Sequence, residues 1–254
     1  MLLAVDVGNT HIVVGVFDGE QLVADFRAHT DSRATGDELG LLLTDLLKRE
    51  GLQPESIDGV IVSNGVPALA RPLSELSQRY FSREAVFVGP GIRTGIRIHY
   101  DDPRQVGGDR IANAIAARHV YGAPAIVVDF GTATTFDCVD SAGDYLGGAI
   151  APGIQVSLDA LVEHAARLTN VELTAPATVI GHTTVSSVQS GLMYGYVGLV
   201  EGLVARIKHE IGGAPKVIAT GGLAEAISEL TGVIDVVDQR VTLTGLRLIH
   251  EQNL

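Results

Sequence analysis

One short pattern occurs twice in this chain, and its spacing constrains the fold more than any other feature. Residues 1–17, MLLAVDVGNTHIVVGVF, read as a buried strand, a polar turn and a second buried strand. Residues 125–140, AIVVDFGTATTFDCVD, repeat that scheme. Asp6 aligns with Asp129 and Gly8 with Gly131, each pair 123 residues apart in a chain of 254. A turn follows each hairpin, at Asp18-Gly19 and at Ala142-Gly143-Asp144, and a third strand is expected after each, over 21–26 and 145–150. A looped hairpin that recurs once per half indicates duplication, with two similar domains facing each other. Chance similarity of two buried hairpins is the alternative.

The turns carry chemistry as well as shape. Glycine lets backbone N–H groups come close to a ligand. Asn9 and Thr10 add hydrogen-bonding groups, and Asp6 can hold a cation. Such a turn suits a phosphate and its metal, although Asp and Asn also form ordinary tight hairpins. Two Asp-x-Gly turns opposed across a cleft would grip one polyphosphate from both sides.

Composition narrows the classes. Hydrophobic residues are 46% and aromatics 5%, with no Trp, so the core is aliphatic and fits an α/β protein. The length allows one large domain or two smaller ones. A net charge of −12, with Lys and Arg scattered, argues against a nucleic-acid or anionic membrane surface. A single cysteine, Cys138, cannot form an intramolecular disulfide, and no secretory signal is evident. The setting expected is reducing and cytoplasmic. No apolar run reaches membrane-span length.

In chain order, the pattern predicts a polar, mobile loop over 29–37 and helices over 37–49 and 69–80. Strands are expected over 59–63 and 85–88, followed by a strand-like run over 96–100. Gly89-Pro90-Gly91 has the wrong spacing for a dinucleotide fingerprint. Val106-Gly107-Gly108-Asp109-Arg110 opens a clear helix. Asp109 is either an N-cap or a base that accepts a hydroxyl proton, with Arg110 beside it to grip a carboxylate. The best internal boundary is Tyr121-Gly122-Ala123-Pro124, giving domains over 1–121 and 122–254. Helices are expected over 154–168, 184–211, 223–230 and 241–251, the last of which can pack back on the first domain. The 184–211 helix carries Gly191, Gly195 and Gly198, which marks close packing against a neighbour, a subunit partner being one candidate. Strands over 216–219 and 233–237 complete the second half. Thr220-Gly221-Gly222, between a strand and a helix, is a good nucleotide position and also an ordinary βα turn.

No Gly is followed by Lys, so there is no P-loop, and neither an HExxH nor a GxSxG motif occurs. Nucleotide chemistry here must rest on Asp and backbone, with a divalent cation bridging the phosphates.

Four motifs in one order, Asp6-x-Gly8-Asn9-Thr10, Gly107-Gly108-Asp109-Arg110, Asp129-Phe130-Gly131-Thr132-Ala133-Thr134 and Thr220-Gly221-Gly222, together with the half-chain repeat, resemble the type III pantothenate kinases. These belong to the actin, acetate kinase and sugar kinase superfamily. The resemblance implies two duplicated ribonuclease-H-like domains with ATP in an interdomain cleft. It implies transfer of the γ-phosphoryl group of ATP to pantothenate, the first step of coenzyme A synthesis, by a homodimer that needs Mg²⁺ and a monovalent cation, K⁺ or NH₄⁺. By motif, Asp6, Val7, Gly8, Asn9, Thr10, His11, Ile12 and Val13 would contact the ATP phosphates, with Asp6 able to carry Mg²⁺ through them. Thr132, Gly221 and Gly222 would also contact ATP. Asp109 would be the general base, and Tyr100, Gly107, Gly108, Arg110 and Thr184 would bind pantothenate beside it. Asp129 would hold the monovalent cation.

Three positions depart from the family pattern. Gly108 stands where Ala is usual, Thr183 where Asn precedes the substrate threonine, and Ser63-Asn64-Gly65-Val66-Pro67-Ala68 where Ser-Val-Val-Pro-Pro is usual. A sugar or short-acid kinase of the same superfamily would share the ATP turns but differ around Asp109 and Thr184. A transcriptional accessory role would tolerate loss of the carboxylates, yet Asp6, Asp109 and Asp129 are all present.

Overall fold

The computed structural model describes residues 1–165, 168 and 171–254. The chain divides into two compact units, Met1–Ala116 with Arg240–Leu254, and Ala117–Gln239.

The first unit is built on a five-stranded sheet. Strands β1 (Leu2–Val7), β2 (His11–Asp18), β3 (Gln21–His29), β4 (Gly59–Asn64) and β5 (Ala85–Phe87) lie in the order β3-β2-β1-β4-β5. The hairpin turns make β1, β2 and β3 antiparallel, while β4 and β5 run parallel to β1. Central strands paired this way are covered on both faces, which explains their continuous apolar runs. Leu3, Val5, Val7, Val60 and Val62 on one face pack with Leu39, Leu43 and Leu47 of α1 (Gly36–Arg49) and Leu73 and Leu76 of α2 (Ala70–Phe81). A capping box between Thr35 and Glu38 starts α1. The other face carries α7 (Val241–Glu251), which contacts β1, β2 and β4. The helix α3 (Gly108–Tyr121) begins in this unit, and α7 docks closely on it. A Cβ added at Gly245 would overlap the Ala112 carbonyl, and Thr242 donates to Asn113 Oδ1 at 2.7 Å.

The second unit repeats the sheet. Strands β6 (Ala125–Phe130), β7 (Ala133–Val139), β8 (Tyr145–Pro152), β9 (Lys216–Gly221) and β10 (Val236–Val237) lie in the order β10-β9-β6-β7-β8. Strand for strand, this is the topology of the first sheet, with the same parallel and antiparallel pairs. Ile126, Val128, Phe130, Val217 and Ala219 pack with Leu158 of α4 (Ile154–His164), Met193 and Val200 of α5 (Thr184–Ile211), and Ile227 of α6 (Ala224–Ser228). Duplication read from two hairpins therefore extends to two complete sheets.

Some expectations need correction. Residues 96–100 form no strand of either sheet, and only a single bridge residue, Ile98, stands where the alternation predicted a longer run. The expected strand over 233–237 is only the two residues of β10, and the helix over 223–230 shrinks to α6. The expected helix over 154–168 ends at His164, and its positions 166 and 167 lie outside the described residues. The 29–37 loop is pinned at its start, where Thr30 Oγ1 donates to the Gly8 carbonyl at 2.8 Å and Thr30 N to the Thr10 carbonyl at 3.0 Å.

Because the Gly245 contact is with backbone rather than with the end of a flexible side chain, neither helix can give way locally. Gly245→Ala is expected to lower stability by about 2 kcal/mol or more, read by chemical denaturation.

Candidate active site

In the first unit, three segments gather at the C-terminal end of the sheet. The β1–β2 turn is closed by Gly8 N donating to the His11 carbonyl at 3.0 Å. Beyond β4, Gly65 N donates to the Val7 carbonyl at 2.8 Å, and Asn64 Oδ1 accepts from Val66 N at 3.0 Å. The first turn of α3 is the third segment. A Cβ added at Gly108 would lie 3.1 Å from Val88 Cβ and 3.2 Å from Ser63 Oγ. The helix carrying Asp109 thus starts directly over the end of β4. Here the departure at Gly108 has a physical reason, since an alanine would force Val88 to shift by a few tenths of an ångström.

Strand register orders the side chains. Ser63, Asp6, Val13 and Arg27 are paired across four adjacent strands, so they share one level and one face. Two residues further along, His11 pairs with His29 on the same face. Partial burial, then the neighbouring Arg27 and His29 charges, hold the His11 pKa below its ordinary value. Arg27 puts positive charge, and His29 an imidazole, beside the phosphate-type turn. Sequence reasoning missed them because only the β2–β3 register brings them there. Asp6 and Gly8 are half-buried, and Asn9, Thr10 and His11 are exposed. Val7 and Ile12 point into the core, so at those two positions a ligand can meet only backbone. Arg110 is 7% exposed, an unusually buried guanidinium, whereas Tyr100 is 38% exposed.

The second unit builds an equivalent turn. Gly131 N donates to the Ala133 carbonyl at 3.1 Å, and Gly222 N to the Phe130 carbonyl at 3.2 Å. Asp129 is half-buried, and Gly131 and Thr132 are exposed. Gly221 has φ +91°, and a Cβ there would lie 2.7 Å from Asp129 Oδ1 and 2.7 Å from Phe130 N. The space beside this carboxylate exists only because residue 221 has no side chain. Gly153, at the start of α4, likewise allows close approach to the turn: its N–H donates to the Thr132 carbonyl at 2.9 Å, and an added Cβ would overlap that carbonyl.

Elsewhere in the second unit, Thr184 is the first residue of α5 and lines a cavity of about 750 Å³ with Leu161, His182, Thr183, Ser187 and Leu192. The substitution at Thr183 is structurally competent. Its hydroxyl accepts from Ser186 N at 3.1 Å, and Ser186 Oγ accepts from Thr183 N at 3.0 Å, a reciprocal cap that fixes the helix start. Side chains of α5 also strap the preceding segment in place, with Tyr194 donating to the Pro176 carbonyl at 2.7 Å and Gln189 to the Glu172 carbonyl at 2.9 Å.

Comparison with known proteins gives a consistent result. The family model described as type III pantothenate kinase matches residues 2–206. A protein named type III pantothenate kinase, from Anaeromyxobacter sp. (strain Fw109-5), is 52% identical over 253 residues, covering 100% of both chains. Among solved structures, a Campylobacter jejuni protein named as a conserved Baf family transcriptional activator matches with TM-score 0.64 and 20% identity, over 99% of this chain and 98% of that one. An inorganic polyphosphate/ATP-glucomannokinase from Arthrobacter sp. strain KM matches with TM-score 0.52 and 18% identity, over 99% and 98%. At these identities the two structures speak to fold alone, and the fold is the doubled ribonuclease-H-like one of actin-like proteins and sugar kinases.

A side chain at residue 221 meets both an unfavourable φ and the Asp129 carboxylate. Gly221→Ala is therefore expected to cost about 2 kcal/mol or more in denaturation measurements. Gly222→Ala, whose Cβ would meet nothing within 4 Å, should be close to neutral.

Proposed function

Since this chain belongs to the type III pantothenate kinase family and phosphorylates pantothenate with ATP in coenzyme A biosynthesis, we propose that the reaction runs at the Asp6–Asp109 end of the first sheet. The observation that carries this reading is the seating of the first turn of α3 over Ser63, in register beside Asp6. It brings a carboxylate at a helix start to the same sheet end as the phosphate-type turn.

In this reading, residues 6–13 contact the ATP phosphates, largely through backbone N–H groups, and Thr132, Gly221 and Gly222 contact the nucleotide as well. Tyr100, Gly107, Gly108, Arg110 and Thr184 bind pantothenate. The Arg110 guanidinium faces its carboxylate, a charge-assisted pairing that burial strengthens. Asp109 accepts the proton of the primary hydroxyl as that oxygen bonds to the γ-phosphorus. The bond from the γ-phosphorus to the bridging oxygen breaks, and ADP leaves with its electrons. Little covalent chemistry falls to the protein in such a transfer, so alignment and charge stabilisation carry the rate.

The donor set suits hard cations. Asp6 and Asp129 are half-buried carboxylates at strand ends, and the missing Cβ at Gly221 leaves room at Asp129 Oδ1. Asp129 would hold a monovalent cation, K⁺ or NH₄⁺, and Asp6 would hold Mg²⁺ through the phosphates, where these ions neutralise phosphate charge.

The enzyme is a homodimer in this account. Added Cβ atoms at Gly191, Gly195 and Gly198 of α5 would meet nothing within 4 Å among the described residues, so this face of the helix has room for a second copy of the chain. The lone buried cysteine supports a cytoplasmic location, and no described helix is long and apolar enough to cross a membrane. The likeness to a Baf family protein supports no second reading of comparable weight, because the carboxylates a catalyst needs are all retained.

Asp109→Asn is expected to lower turnover about a hundred-fold or more, with ATP binding kept; unchanged turnover would remove Asp109 as the base. Asp129→Ala is expected to flatten the K⁺ titration of activity. A K⁺ response identical to that of the unaltered enzyme would contradict the role given to Asp129.

A further inference from the structure

Each half of the molecule places a buried hydroxyl directly beside its turn carboxylate. Asp6 pairs in register with Ser63, and Asp129 with Thr220. Parallel register puts each hydroxyl on the same face as its carboxylate. Ser63 is 2% exposed and Thr220 4%. Among the described residues, the Ser63 hydroxyl has no hydrogen-bond partner. Its oxygen is not one of the enclosed, unsatisfied side-chain atoms of the described residues, so it keeps a small opening through which a bound group can reach it. Its neighbours are informative. Asp6 and the phosphate-type turn lie on one side, and the first turn of α3, carrying Asp109, lies over it, with the Gly108 Cβ position 3.2 Å from Ser63 Oγ.

We infer that Ser63 is a further catalytic residue, whose hydroxyl donates a hydrogen bond to the phosphoryl group in transit from ATP to the acceptor. The inference rests on the site reading above, with ATP phosphates at the Asp6 turn and the acceptor hydroxyl at Asp109. A hydroxyl at that point meets the non-bridging oxygens of the γ-phosphoryl group, whose charge a fixed donor stabilises during transfer. The contact inferred is to the γ-phosphoryl group, which ADP lacks, so it would distinguish ATP from ADP.

The test is Ser63→Ala in the full-length enzyme, with Asp109→Asn measured in parallel. Loss of one hydrogen bond to a charged group should lower kcat about ten-fold and weaken binding of a non-hydrolysable ATP analogue several-fold. ADP affinity should stay the same, and the melting temperature should be unchanged or higher, because no bond within the protein is lost. Turnover and analogue affinity within two-fold of the unaltered enzyme would overturn the inference, as would equal weakening of ADP and the analogue. If Asp109→Asn retained full turnover, the reading of the site itself would fail. If it abolished turnover while Ser63→Ala did not lower it, only the role of Ser63 would fail.

Discussion

The parallel pairing of β1 with β4, and of β6 with β9, determines where the proposed site sits. In both pairs the two strands end together, and the hydrogen bonds at that end run into the following turns. Gly65 N reaches the Val7 carbonyl, and Gly222 N reaches the Phe130 carbonyl. Backbone that would otherwise be unsatisfied at a buried strand end is thereby tied off. On the face opposite Val7 in β1 and Phe130 in β6, the last side chain of each central strand is an aspartate, with a hydroxyl residue beside it. Open α/β sheets bind ligands at this end because the turns there can vary without disturbing the core.

Close approach is the second constraint, and it acts through missing side chains. Gly108 lets α3 settle on Val88 and Ser63, Gly221 leaves space beside Asp129, and Gly245 brings α7 onto α3. At Gly108 and Gly245 the nearest obstacle is packed or backbone structure, and at Gly221 the Phe130 backbone lies as close as the Asp129 carboxylate. A methyl group would therefore move a functional segment instead of being absorbed. Stability and function are coupled here, since the glycines that permit the contacts also set the positions of Asp109 and Asp129.

Much of this was legible in the sequence, for reasons of scale. Apolar runs flanking Asp6 and Asp129 identify buried strands, and a repeat at half the chain length identifies duplication. Long amphipathic helices such as α1 and α7 leave a periodic pattern. What escaped depends on partners distant in sequence. Ser63, Arg27 and His29 reach the Asp6 face through strand register, which no local pattern encodes. Residues 96–100 look like a strand and make only a single bridge at Ile98, joining neither sheet as a strand. Thr183 read as a departure at a substrate position, although the helix expected from residue 184 already places it where a cap of α5 belongs. The two-residue β10 is too short to leave a signal.

The account stands or falls on one reaction. The direct measurement is product analysis by mass spectrometry after incubating the protein with pantothenate, ATP and Mg²⁺, in K⁺ buffer and in Na⁺ buffer. The account predicts one 4′-phosphopantothenate for each ADP, formed faster in K⁺. ADP released without phosphorylated pantothenate, or no product in either buffer from protein that still binds ATP, would contradict it.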